Sequence, residues 1–104
     1  MPTPEVLARA ERIKLLILDV DGVLTDGRIY VDSERENLKA FHVQDGLGMK
    51  LLQKAGIELA IITGKESAMV SVRMATLGVK HVAQNQPNKI AAFEHLVGRA
   101  FPYP

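Results

Sequence analysis

The run Leu15-Leu16-Ile17-Leu18 leads directly into Asp19-Val20-Asp21-Gly22. Four consecutive large aliphatics in so short a segment predict a strand buried on both faces, as in a parallel sheet. Two carboxylates at the rim of that apolar run repel each other, and their charge needs an offset. In open parallel sheets, ligands bind beyond the carboxyl ends of the strands, which is where Asp19 and Asp21 fall. Gly22 permits a tight turn immediately after them. A divalent cation with oxygen ligands is the usual remedy for two such acids, and a pair capping a turn at the strand end is the plainer alternative.

The pattern recurs at Ile57 to Ile62, I-E-L-A-I-I, ending in Thr63-Gly64. Two buried strands separated by helix-forming sequence predict an α/β fold. Pro4 to Arg12 reads as a lead-in helix with Thr3 as N-cap and Pro4 at its first position. Segments 27–31 and 37–43 alternate around the polar turn D-S-E-R-E and predict an antiparallel hairpin, an insert spanning about Arg28 to Val43. Helices are expected over 46–55, ended by Gly56, over 66–77, closed by Gly78, and over 87–97, with a short strand at 79–83. The expected order is α-β-hairpin-α-β-α-β-α in a single domain over residues 1–104.

Composition serves mainly to exclude. The 104 residues carry a net charge of +1, with basic residues scattered (Arg9, Arg12, Lys14, Lys39, Lys50, Lys54), so no footprint for nucleic acid is present. No cysteine means no disulfide and no thiolate zinc site. No stretch approaches the ~20 apolar residues of a membrane span, and the first residues lack a signal-peptide core. These readings point to a soluble, cytoplasmic protein. No G-x-G-x-x-G follows a strand and no G-x-x-x-x-G-K-[ST] occurs, which argues against a nucleotide-binding domain.

D-V-D-G-V-L-T-D-G after four aliphatics resembles the first motif of the haloacid dehalogenase (HAD) superfamily of phosphohydrolases. The resemblance implies a Rossmann-like parallel sheet flanked by helices. It also implies that Asp19 is the nucleophile that forms an aspartyl phosphate, and that Asp21 is the acid/base. Asp19 and the backbone carbonyl of Asp21 would hold Mg2+. The family's second motif, a strand ending in Ser or Thr, is matched by I-I-T-G, making Thr63, with Gly64, the phosphate-binding element. A hydroxyl capping the next helix is a compatible second role for Thr63. The third motif, a charge-neutralising lysine, is matched by Lys89 in Q-P-N-K, although a lone lysine there would read as solvated surface.

The set L-I-L-D-V-D-G-V-L-T-D-G, K-A-F-H-V-Q-D-G-L-G, A-I-I-T-G-K and Q-P-N-K-I-A-A-F narrows the resemblance to phosphatases of 3-deoxy-D-manno-octulosonate (KDO) 8-phosphate, a lipopolysaccharide precursor. That family is capless and homotetrameric, with hairpins assembled at the centre and a neighbouring subunit helping to cover each site. Ile29, Tyr30, Val31, Leu38 and Phe41 give the hairpin more apolar surface than an isolated hairpin leaves bare. Asp45, in Q-D-G-L-G, matches a position near the substrate entrance, or else is an ordinary turn before a helix at Gly46. Lys65 stands where the family commonly has Arg, which keeps the charge and loses bidentate geometry.

The family's fourth motif, Gly-Asp-Asp, would supply the remaining magnesium carboxylate. After Lys89 there is no Asp, and one acid, Glu94. The chain therefore reads as the N-terminal part of such an enzyme, with three of four motifs. The alternatives are a non-catalytic assembly module of the same fold, or a phosphatase of a related ester such as an acylneuraminate 9-phosphate.

Overall fold

The computed structural model describes residues 2–28, 30–31 and 36–99, with the side chains of residues 31, 36, 37 and 99 left aside. Its elements are α1 (Pro4–Ala10), β1 (Leu15–Leu18), β2 (Tyr30–Val31), β3 (Glu36–Leu38), α2 (Val43–Lys54), β4 (Glu58–Ile62), α3 (Ala68–Leu77), β5 (His81–Ala83) and α4 (Lys89–Arg99). The order is the expected one, and the α/β class holds. β1, β4 and β5 form a parallel sheet in that spatial order, with Leu15 opposite Glu58 and Ala60 opposite His81. β2 and β3 pair antiparallel, Tyr30 opposite Leu38, with a register irregularity after Tyr30.

Side chains alternate across β4, and each face has its own partner. Leu59 and Ile61 join Met49 of α2, Val70, Met74 and Leu77 of α3, and Val20, Leu24 and Val79 in the buried core. Ile62, on the other face, lines a cavity with Lys89 and Phe93 of α4. β1 has β4 on one side, and among the described residues no strand pairs with its other edge. All four of its residues are only half-buried, where the sequence predicts burial on both faces.

Several boundaries move, each for a local reason. Thr3 caps α1 as expected, its Oγ1 accepting from the Val6 N–H at 3.2 Å. α2 begins at Val43 instead of Gly46, because His42 serves as N-cap, its Nδ1 accepting from the Gln44 N–H at 3.0 Å. The hairpin's predicted second strand is correspondingly shorter, and Phe41 forms only an isolated bridge to Thr25. Gly46 then lies buried in the first turn of α2, where an added Cβ would collide with the Arg73 side chain. That guanidinium also sits 6.0 Å from the centroid of the Phe41 ring and ties the end of the hairpin to α3. α3 closes at Gly78, whose φ of 76° is a left-handed cap that side-chain-bearing residues rarely adopt.

Of the hairpin's apolar residues, Leu38 is 61% exposed and Tyr30 is exposed, while Phe41 packs against the core. Ile29 lies outside the described residues, and so does the side chain of Val31. On α2, Val43, Leu47 and Leu51 recur every fourth residue and all face solvent. The inward side of that helix is carried by Met49 and Leu52.

Met74 is 1% exposed at the centre of the core. Met74→Ala should cost ~2–5 kcal/mol of unfolding free energy, read from urea denaturation, through lost contacts and a residual cavity. Val72→Ala, on the outer side of the same helix, should stay within about 0.5 kcal/mol.

Candidate active site

Three parallel strands end side by side, and the site is assembled at their carboxyl ends. β1 delivers Asp19, β4 delivers Thr63, and the loop after β5 leads to Lys89, the first residue of α4. The Lys89 ammonium donates to Asp19 Oδ2 at 2.8 Å, closing a 70-residue separation in sequence. The Val20 N–H donates to Asp19 Oδ1 at 2.7 Å. The Thr63 side chain faces the same carboxylate and contributes to lowering its pKa. The first three motifs of the sequence therefore meet at one acid.

The turn after Asp19 is tightly wound. The Val20 carbonyl accepts from the N–H groups of Val23, Leu24 and Thr25 at 3.1, 2.9 and 3.1 Å. Gly22 carries a φ of 81°, a conformation that a Cβ would strain. Thr25 Oγ1 accepts from both Gly22 and Gly27 N–H groups at 3.2 Å. Asp21 rides on this exposed turn, and its Oδ1 accepts from the Lys39 ammonium at 2.8 Å. Each acid of the D-x-D pair thus has its own lysine.

Thr63 is buried, 3% exposed, and its backbone is held at both ends. Its N–H donates to the Ala83 carbonyl, and its carbonyl accepts from the Gln86 N–H, both at 3.0 Å. The helix-capping role falls instead to Ser67, the N-cap of α3, whose own side chain makes no cap bond. The Ser67 N–H is met by Gln84 Oε1 at 2.7 Å, and Gln84 Nε2 donates to Ser71 Oγ at 2.8 Å. This network ties the loop after β5 to the start of α3. Gly64 and Lys65 are exposed beside Thr63.

Burial raises the pKa of Asp19, but the Lys89 hydrogen bond, the Val20 N–H, the Lys89 charge and the Thr63 hydroxyl together bring it below the ordinary value of 3.8. The group is a carboxylate at neutral pH, which a nucleophilic aspartate requires.

Asp45 is not drawn into this cluster. It is exposed in the first turn of α2 and lines a separate cavity of about 400 Å³ with Leu24, Asp26, Phe41 and His42. Asp19 and Lys89 line another, of about 280 Å³, with Ile17, Leu18, Ile62 and Phe93. In sequence, Lys39 is one of several scattered bases. Its place in L-K-A-F-H-V, between apolar positions of the hairpin, was the available signal.

Among the described residues, no three His, Cys, Asp or Glu side chains gather as a metal cage. Asp19 offers one carboxylate, and the backbone carbonyl of Asp21 lies on the adjoining turn. Mg2+ commonly takes one or two carboxylates and completes its shell with water and phosphate oxygens, so this donor set suits it. The same set is too sparse for an all-protein calcium or zinc site.

No family model matches the chain. Individual relatives do. The KDO 8-phosphate phosphatase KdsC of Salmonella typhimurium is 52% identical over 95 residues, covering 91% of this chain and 50% of that protein. Its counterpart from Escherichia coli K12 is 53% identical over 93 residues, covering 89% of this chain and 50% of that protein. The crystal structure of the KDO 8-phosphate phosphatase of Moraxella catarrhalis with magnesium, phosphate and KDO superposes with a TM-score of 0.88 at 46% identity, covering 95% of this chain and 57% of that one. The cobalt-bound phosphatase of Haemophilus influenzae gives a TM-score of 0.83 at 43% identity, covering 86% of this chain and 53% of that one. The chain spans about half the length of the curated relatives it matches.

The depressed pKa of Asp19 has a direct pH consequence. A carboxylate whose folded pKa lies below its unfolded value stabilises the fold above the unfolded value, and that contribution is lost as pH falls through the folded value. Lys89→Met removes the ammonium and leaves the burial. Carbon-detected NMR titration of the Asp19 carboxyl should therefore show its pKa moving upward, with the acid limb of stability moving to higher pH. An unmoved titration would mean that Lys89 does not hold Asp19.

Proposed function

From its HAD fold and its homology to KDO 8-phosphate phosphatases, we propose that this chain forms the nucleophile-bearing part of a Mg2+-dependent phosphomonoester hydrolase acting on a sugar-acid phosphate, KDO 8-phosphate. The observation that carries the reading is an ionised Asp19 held by Lys89 and the Val20 N–H, with the Thr63 side chain beside it, at the carboxyl end of the sheet. Asp19 attacks phosphorus, the P–O bond to the sugar breaks, and Asp21 gives its proton to the departing alkoxide. Water then attacks the aspartyl phosphate, Asp21 takes a proton from it, and phosphate leaves with the Asp19 carboxylate restored. Lys89 and the Thr63 hydroxyl, next to Gly64, neutralise and orient the phosphoryl oxygens, where most of the gain in phosphoryl transfer arises. When bound at Asp19 and the Asp21 carbonyl, Mg2+ supplies further charge neutralisation. Asp45, in its separate cavity, is assigned to the approach of the sugar.

The 104 residues are read as one unit of the fold with the hairpin as an insert. The bare Leu38 on the hairpin and the Val43, Leu47 and Leu51 stripe on α2 are exposed apolar surface that supports assembly into a homotetramer. Among the described residues no helix is long and apolar enough to cross a membrane. This and the absence of cysteine support a cytoplasmic location. That Asp19 alone among the described residues offers a metal its carboxylate favours a second reading, an assembly module of the same fold without turnover.

Mg2+-dependent phosphate release from an aryl phosphate should be measurable, and Asp19→Asn should lower it by about 10³-fold or more. Turnover surviving in Asp19→Asn would remove the nucleophile assignment. A folded wild type without turnover would favour the module. Light scattering after size exclusion should give four chains per particle, and a monomer would contradict the assembly.

A further inference from the structure

Lys39 reaches the site from just beyond β3, its ammonium 2.8 Å from Asp21 Oδ1. The exposures run opposite to those of an ordinary surface pair. The lysine side chain is only 4% exposed, whereas the aspartate is 37% exposed. Lysines on a surface bury their stems and keep the ammonium in water. Withdrawing the charged head costs desolvation, and such a pair is weak evidence for stability in itself. Lys89, by contrast, remains 52% exposed beside Asp19. The buried member at Asp21 is the holder, and the accessible member is the group being held.

We infer that Lys39 is a positioning residue: its buried ammonium fixes the Asp21 carboxylate in one orientation above the turn, so that the seating of the hairpin sets where that carboxylate points. The inference rests on the reading of Asp21 as the proton carrier. An aspartate on an exposed turn otherwise distributes among staggered rotamers. Proton transfer requires the carboxyl within hydrogen-bond reach of the leaving oxygen. An ammonium donates and has no lone pair, so Lys39 holds Oδ1 without competing for the proton. The arrangement also gives the hairpin a role in the chemistry, because a displaced hairpin takes the Asp21 anchor with it.

Three-bond couplings from Asp21 Cγ to its backbone N and C′ read the χ1 rotamer directly, without turnover. In the wild-type chain they should report one rotamer. Lys39→Met, or Lys39→Gln should the first variant not fold, should give averaged couplings, and Lys39→Arg should restore a single rotamer. Averaged couplings in the wild type, or a single rotamer persisting without the lysine, would overturn the inference. With an aryl phosphate and Mg2+, Lys39→Met should lower kcat by about 10²-fold with KM unchanged, the scale expected for a misplaced group. A freed Asp21 with undiminished kcat would also overturn it. Absence of wild-type turnover would count against the phosphatase reading, and the couplings would still decide whether Lys39 holds Asp21.

Discussion

The hydrogen-bonded ion pair between Asp19 and Lys89 is the constraint on which the remaining geometry depends. It joins the end of β1 to the start of α4 across 70 residues and does so where three parallel strands terminate. Two carboxylates one residue apart would otherwise repel, and burial would push the first towards its neutral form. Lys89 reverses that balance with help from the Val20 N–H and Thr63, so the acid at the sheet edge is a ready anion. The tight turn around the Val20 carbonyl lets Asp21 follow so closely while facing out.

Much of this was legible from residue pattern. The aliphatic runs marked both long strands of the sheet, because burial on a parallel sheet demands unbroken apolar sequence and few other structures do. Thr63 and Lys89 were singled out by resemblance to a family's second and third motifs, and the sheet topology places both near Asp19. Helix starts were less legible. α2 begins after His42 because an imidazole nitrogen acts as the cap, and histidine is not among the residues that announce an N-cap. Lys39 escaped notice for a different reason. Its contact with Asp21 depends on the hairpin folding back over the turn, a long-range approach that its place between apolar hairpin positions marks only weakly. Asp45 was placed near a ligand entrance by resemblance, and its cavity is not the one that Asp19 and Lys89 line.

The two lysines differ in a way that bears on assembly. Lys89 belongs to a helix packed against β4, pairs with Asp19 and keeps about half of its side chain exposed. Lys39 belongs to the hairpin, whose Leu38 and Tyr30 are exposed, as is the apolar stripe of α2. Covering the hairpin's exposed residues with further copies of the chain would hold the hairpin, and with it Lys39, against Asp21. Assembly and catalysis would then share one element, which gives a physical reason for a hairpin carrying both apolar surface and a buried charge.

The central claim is that Asp19 becomes phosphorylated. Incubation with a phosphomonoester and Mg2+, followed by borohydride reduction and peptide mass spectrometry, converts an aspartyl phosphate to homoserine at the residue that carried it. The account predicts homoserine at position 19 and an unmodified Asp21. Reduction at Asp21, or phosphate release with no reducible acyl phosphate at either acid, would contradict it.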